Sequence, residues 1–221
     1  MPPESLVPPL LPAGSPARDA QVFFLVRHAQ SEANAGDDNE QDTDSPLTAL
    51  GQQQAQLLAK AFRETQVGAI VSSDSLRARD TVAPLAARQG KSVLLREQLR
   101  EPRGNRKTTQ FADAEQAAVL LELLRAGKLP PPPPPAETHA EVVARLHSLL
   151  GEVRPLAAAG PVVICSHYVT LNVLVRLLID AGEPPAALWA HFDNGGVTRV
   201  DVPSGRLPPV GLLQYLNWAP G

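Results

Sequence analysis

Two arginines and two histidines stand at comparable places along this 221-residue chain. Arg27 and His28 close the apolar run QVFFLV, His167 follows the apolar run VVIC after a single serine, and Arg77 lies just beyond the short run AIV. Guanidinium groups grip phosphate oxygens in bidentate fashion and stay charged at any working pH. A neutral imidazole can attack phosphorus and form a covalent phosphohistidine, dividing a hard displacement into two easier ones. Neighbouring arginines depress a histidine pKa and so keep the ring neutral and nucleophilic. The leaving alkoxide then needs a proton, which a carboxyl group of raised pKa can supply. Gathered at one place, these groups suit phosphoryl transfer, where positioning and electrostatics dominate.

The elements that must gather them are legible as a repeated unit. QVFFLV, VGAIV and the strand at residues 162–165 are continuous apolar runs of strand length, each followed by a polar turn. The second and third lead into helical patterns, one carrying Arg77 and one closing at Gly182. Fully apolar strands alternating with helices predict a mostly parallel sheet covered on both faces. In such sheets ligands bind beyond the carboxyl ends of the strands, where Arg27, His28, Arg77 and His167 all fall. The helix after each strand is expected to offer free N–H groups to the same place.

Further helices are expected from Ser45-Pro46 through QQQAQLLAKAFRE, and over DAEQAAVLLELLRAG with a C-cap at Gly127. Six prolines at 130–135 follow, readable as a stiff loop or as an SH3-type ligand. Thr138 and Glu141 form a capping box that restarts a helix through VVARLHSLLGEV. Residues 1–20, with five prolines before Gly14, read as a flexible extension, and residues 21–221 as a single domain.

Composition narrows the classes. Apolar residues make up 43% and charged residues 19%, which fits a globular chain. A net charge of -3 lacks the basic surplus of a nucleic-acid binder. Cys165 stands alone, so no internal disulfide and no thiolate metal set can form, and a reducing compartment is expected. The N-terminus is a poor signal peptide and no apolar run approaches a membrane span, so a cytoplasmic location with no membrane partner is expected.

LVRHAQSEAN resembles the signature of the histidine phosphatase superfamily, the phosphoglycerate mutase-like proteins of the branch 1 acid phosphatase type. Its usual form reads Arg-His-Gly-Glu-Ser or Gln-Ser followed by a downstream Asn. SPLTALGQQQA resembles the family's Pro-Leu-Thr-x-x-Gly-x-x-Gln-Ala segment, and SSDSLRARDTVAPLA is similar to its Ser-x-Leu-x-Arg-Ala-x-x-Thr element. LRE, ending at Glu101, occupies the place of its acidic proton donor. VVICSHYVTLNVLVRLL resembles its second Ser-His motif, and NGGVTRV its late Asn-containing strand. The motifs come in the family's order and cover the chain from Gln21 onward.

The resemblance implies a three-layer α/β/α sandwich with a mostly parallel central sheet. It makes His28 the nucleophile, places Arg27, Arg77 and His167 on the phosphoryl oxygens, and makes Glu101 the acid. Asn34 is either a helper at the pocket or a helix cap. No metal and no cofactor is implied, and the expected partner is a small phosphorylated substrate. Hydrolysis of a phosphomonoester is the expected reaction. The alternatives are a phosphoglycerate mutase-type transferase and a phospho-ligand binding module without turnover. Mutases of this type usually carry a longer insertion before the second histidine and an Asn-Glu-Arg-like donor motif, whereas here the interval is short and proline-filled.

Departures from the pattern raise further questions. Ala29 replaces the usual glycine, a change expected to be tolerated. Tyr168 replaces a common glycine, either to select substrate or to pack. Glu97 rivals Glu101 as the acid. Arg100, Arg103, Arg106 and Lys107 either hold a second anionic group of the substrate or line a solvated loop. Cys165 is expected to pack rather than react, and His139, His147 and His191 match no motif.

Overall fold

The computed structural model describes residues 20–36, 45–103, 136–179 and 190–203, and the backbone of a strand at 212–218. The expected helix ending at Gly127, the proline run, Arg106, Lys107, the helix end at Gly182 and the extension before Ala20 lie outside the described residues.

Strand β1 (Ala20–Arg27) contains the apolar run, and residues 22–26 are all buried. Successive side chains of a strand face opposite ways. Phe23 and Leu25 enter one core, while Val22, Phe24 and Val26 enter another on the opposite face. A strand covered on both sides has no reason to alternate with polar residues, which is why the run is uninterrupted. β2 (Ala69–Ser72) and β4 (Val162–Ser166) share this design, β3 (Val93–Leu95) is a partly exposed strand, and β5 (Val197–Pro203) and β6 (Leu212–Trp218) complete the sheet.

The strand order is β3-β2-β4-β1-β5-β6. β3, β2, β4 and β1 pair in parallel, and β5 pairs antiparallel with both β1 and β6. Among the described strands β5 alone is reversed, in a mostly parallel sheet. Helices α1 (Ala49–Ala61) and α2 (Leu76–Gln89) bury Leu58, Val82 and Leu85 on one face. Helices α3 (His139–Val153) and α4 (Tyr168–Ile179) bury Leu146, Leu149, Leu171 and Leu174 on the other. This is the three-layer α/β/α sandwich expected from the sequence. The capping box at Thr138 also forms as expected, its hydroxyl accepting from the Glu141 N–H. Among the described residues no helix is long and apolar enough to cross a membrane.

Two local expectations need correction. α1 does not start at Ser45-Pro46 but at Ala49, capped by Thr48. The residues before it are used elsewhere: Ser45 Oγ accepts from the Ala33 N–H, Pro46 O accepts from Glu32 N–H, and Leu47 bridges to Ser31. Nor does a full helix follow β1. A single 3-10 turn (Glu32–Asn34) takes its place.

Parallel pairing sets the site's level. Arg27 lies opposite Ser166, and Ser72 opposite Cys165, so the next residues, His28, His167 and Ser73, emerge side by side at the carboxyl ends of three adjacent strands. α1 fixes the turn beyond. The Gln30 carbonyl accepts from Thr48 N–H at 3.0 Å, Gln54 Oε1 accepts from Gln30 N–H at 2.9 Å, and a Cβ at Gly51 would lie 2.0 Å from Gln30 O. Gly51→Ala therefore forces the helix and the His28 turn apart. It should cost about 1–3 kcal/mol in chemical denaturation, as overpacking does, and lower activity as well; an unchanged unfolding midpoint would show that the contact is not tight.

Candidate active site

His28 sits at the centre of the strand ends and is almost wholly buried. Its Nδ1 lies 2.8 Å from the Ala29 carbonyl oxygen. A carbonyl only accepts, so Nδ1 carries the proton and a neutral ring keeps its lone pair on Nε2. The backbone around it is tied from three sides. His28 N–H donates to Ser166 O at 2.9 Å, Ala29 N–H donates to Thr81 Oγ1 at 2.8 Å, and His28 O accepts from Asn194 Nδ2 at 3.0 Å. The Ala29 methyl packs with Leu47 and Ala55, which explains why it is accommodated.

His167 stands beside it, with ring centroids 5.0 Å apart. Its Nε2 is 3.0 Å from Ser73 Oγ and 3.3 Å from Ser75 Oγ, and its Nδ1 is 3.3 Å from Arg77 Nη2. A guanidinium only donates, so Nδ1 accepts and the ring proton sits on Nε2, facing the serines. Burial holds the pKa of both rings well below 6.5; for His28 the Arg77 and Arg27 charges add to this, and for His167 the His28 ring and Arg77 do.

Arg27 reaches the same space from β1. Its Nη1 donates to Phe192 O at 2.6 Å, its guanidinium carbon lies 5.2 Å from the centre of the Tyr168 ring, and its Nε is buried without a hydrogen-bond partner. Burial lowers its pKa, against the opposing pull of Glu101, Tyr168 and Asp193. Tyr168 makes further edge contacts with Phe192 and His191. The phenol ring is therefore a packing wall against which Arg27 is oriented.

Asn34 lies one layer behind. Its Oδ1 accepts from Ser31 N–H at 3.3 Å, Ser31 Oγ at 3.0 Å and Asn194 Nδ2 at 3.2 Å. It thus serves as the reciprocal partner in the capping box of the 3-10 turn and braces the loop that bears Asn194. Gly195, with φ +76°, lets that loop turn so that its N–H reaches Arg27 O at 3.1 Å.

Of the two candidate acids, the structure brings Glu101 into the site and leaves Glu97 exposed. Glu101 Oε1 accepts from Val169 N–H at 3.0 Å, and Oε2 from Thr170 N–H and Oγ1, each at 3.3 Å. The first N–H groups of α4 are therefore occupied by a carboxylate of the chain itself, contrary to the expectation that they face a ligand. Burial raises the Glu101 pKa above 4.5, and the two N–H bonds with the Arg27 and Arg77 charges oppose that rise. In the expected cation cluster, Arg100 is paired with Asp74, Nε to Oδ1 at 2.7 Å, and Arg103 is exposed. Cys165 is fully buried among apolar side chains and its thiol pKa is pushed up by desolvation, consistent with packing.

The family model of the histidine phosphatase superfamily (branch 1) matches residues 23–212. The chain belongs to this superfamily. A Hydrogenobacter thermophilus protein provisionally named phosphoserine phosphatase 2 is 33% identical over 200 residues, covering 88% of this chain and 94% of its own. An Escherichia fergusonii protein provisionally named phosphoglycerate mutase GpmB is 32% identical over 188 residues, with coverage of 80% and 83%. Among solved structures, a mycobacterial glucosyl-3-phosphoglycerate phosphatase complexed with VO3 superposes with a TM-score of 0.73 at 25% identity, covering 90% of this chain and 100% of that one.

In this member of the histidine phosphatase superfamily the structure gathers at one place His28, His167, Arg27, Arg77 and Glu101, which the sequence had singled out. The sequence reading missed Ser73, Ser75, Thr81, Phe192 and Asn194, all of which hold the principal groups by hydrogen bonds. NGGVTRV and the SSDSL turn were visible as motifs, but which atoms they bond is decided across more than 90 residues of chain.

The buried rings have a consequence for stability. A histidine whose folded pKa is depressed stabilises the fold fully above its unfolded value of 6.5, and that contribution is lost as pH falls through the folded pKa. Below 6.5 the unfolded chain takes up protons that folded His28 and His167 refuse, costing up to about 1.4 kcal/mol per pH unit for each. Urea unfolding at pH 7.5, 6.5 and 5.5 should show a steeper acid decline for wild type than for His28→Asn. Parallel pH curves would mean that folded His28 takes up its proton as readily as an exposed ring.

Proposed function

We propose that the chain is a phosphomonoester hydrolase that acts on a small phosphorylated metabolite through a covalent phosphohistidine at His28. The observation that carries this is the 2.8 Å contact of His28 Nδ1 with Ala29 O, which leaves the Nε2 lone pair among two guanidiniums and a second imidazole. Nε2 attacks phosphorus while Arg27 and Arg77 neutralise the charge on the equatorial oxygens and the neutral His167 ring offers them its Nε2–H in place of Ser73. The P–O bond to the leaving group breaks as protonated Glu101 gives its proton to the departing alkoxide. In the second half, the Glu101 carboxylate removes a proton from water as the water oxygen attacks phosphorus, and His28 leaves neutral. Asn34 positions the loop around His28 rather than touching substrate. The family and the names of the relatives support a phosphatase-type enzyme, and the whole reaction uses side chains of the single domain over residues 21–221.

The Escherichia fergusonii relative's name favours a second reading, transfer of the phosphoryl group back to another hydroxyl of a phosphorylated sugar acid. The two differ only in whether water or a second hydroxyl receives the group. A binding module without turnover is opposed by Glu101, whose raised pKa would serve no purpose in mere retention of phosphate.

A panel of phosphomonoesters that includes phosphoserine and 3-phosphoglycerate, with EDTA present, tests this directly. Wild type should release inorganic phosphate, and His28→Ala should reduce release by at least about 10³-fold, the order seen when a nucleophile is removed. Release that survives the substitution overturns the mechanism, and conversion of 3-phosphoglycerate to its isomer without release selects the transferase. The pH dependence of kcat/KM should also be bell-shaped. Its acid limb, from protonation of His28, should fall below 6.5, and its alkaline limb, from loss of the Glu101 proton, above 4.5.

A further inference from the structure

The segment that carries Glu101 is gripped from two sides. From the end of β4, Ser166 Oγ donates to Leu99 O at 2.6 Å, and from α4, Thr170 Oγ1 donates to Arg100 O at 2.9 Å. From the α3 side, Arg145 Nη1 donates to Gln98 O, and Arg145 Nη2 donates to Arg100 O at 2.9 Å. Arg145 is itself held by Glu137, Nε to Oε1 at 2.6 Å and Nη2 to Oε2 at 3.1 Å. Glu137 N–H in turn donates to Arg103 O at 3.0 Å, so the same grip closes on the residues just past the acid.

α3 does not need Arg145 in order to dock. Val142, Leu146, Leu149, Leu150 and Val153 are buried and fasten the helix to the core by its apolar face. Yet the Arg145 guanidinium is turned away from solvent, with its side chain 17% exposed and that of Glu137 9%. Three of its donors go to carbonyls and carboxylate oxygens of, or tied to, the segment that precedes Glu101. A planar guanidinium can hold two carbonyls and a carboxylate at once, which a lysine ammonium cannot do in the same fixed plane.

We propose that Arg145 is a positioning residue for the acid: it fixes the backbone of residues 98–100 so that the Glu101 carboxyl is presented to the leaving oxygen. This rests on the reading of Glu101 as proton donor. Without Arg145, the backbone retains its bonds to Ser166 and Thr170 but loses those from α3, and the carboxyl is delivered over a wider range of positions. General acid catalysis tolerates such misplacement poorly.

The test separates proton donation from folding and from phosphate binding. kcat/KM reports formation of the phosphoenzyme, so two esters are compared: an alkyl phosphate such as phosphoserine, whose alkoxide needs a proton, and 2,4-dinitrophenyl phosphate, whose phenolate does not. Arg145→Met should lower kcat/KM for the alkyl ester by about 10- to 100-fold and for the activated ester by less than about 3-fold. Arg145→Lys should fall between wild type and Arg145→Met, and Glu137→Gln, which leaves the guanidinium in place, should show a smaller change of the same selectivity. In a Glu101→Gln background, Arg145→Met should change the ratio of the two esters no further. Equal losses on both esters, or a full additional effect in the Glu101→Gln background, overturns the proposal. If Glu101→Gln itself leaves the ratio unchanged, the assignment of the acid falls and the role of Arg145 falls with it. A changed ratio in Glu101→Gln but not in Arg145→Met sinks the Arg145 inference alone.

Discussion

An imidazole buried between guanidinium groups is held away from its charged form, because burial and like charge act in the same direction. His28 is in that position, and the rest of the site follows from it. A ring that must stay neutral has one proton to place, and the Ala29 carbonyl claims it at Nδ1. The remaining lone pair is then fixed in direction by the backbone of the turn. Every tie on that turn, from Ser166, Thr81, Thr48, Gln54 and Asn194, is a tie on the aim of Nε2.

The same low-dielectric setting that keeps His28 neutral acts in the opposite sense on a carboxyl group. Glu101 is pushed toward its protonated form by burial, while two α4 N–H groups and the arginines restrain the shift. One environment thus favours the neutral form of an imidazole and of a carboxyl group at once, since desolvation disfavours charge of either sign. Arg27 pays no comparable penalty in function, because a guanidinium lowered from so high a pKa remains charged. Arg27 Nη1 donates to Phe192 O and its guanidinium stands over the Tyr168 ring, while Arg77 Nη2 donates to the His167 ring.

The scaffold answers the electrostatic cost by rigidity. Parallel strands buried on both faces deliver His28, His167 and Ser73 from one level of the sheet. The loops beyond are closed by hydrogen bonds to carbonyls rather than by apolar contact alone. Asn172 illustrates this on α4, where its amide bonds Ala190 N–H and O and so anchors the chain leading to Phe192 and Asn194. A catalytic geometry that must hold to a fraction of an ångström benefits from such directional contacts, which fix orientation as well as distance.

By itself the sequence determined the layers of the fold and the chemical identity of the site. The uninterrupted apolar runs require burial on both faces, and residue types at the strand ends, Arg27-His28, Arg77 and Ser166-His167, carry their chemistry wherever the backbone takes them. Glu101 was legible through its place in a motif. What only the tertiary structure decided is which groups meet. Glu97 and Glu101 are four residues apart and chemically alike, and only packing against α4 draws Glu101 partly out of solvent while Glu97 stays exposed. Tyr168 became a wall for Arg27, Arg100 a partner of Asp74, and the α4 N–H groups a seat for Glu101. Thr48 rather than Ser45 starts α1, because Ser45 is drawn to Ala33. Each of these is settled by a hydrogen bond, charge contact or ring contact between residues remote in sequence, and no local pattern of residue types encodes which distant atom will be within 3 Å.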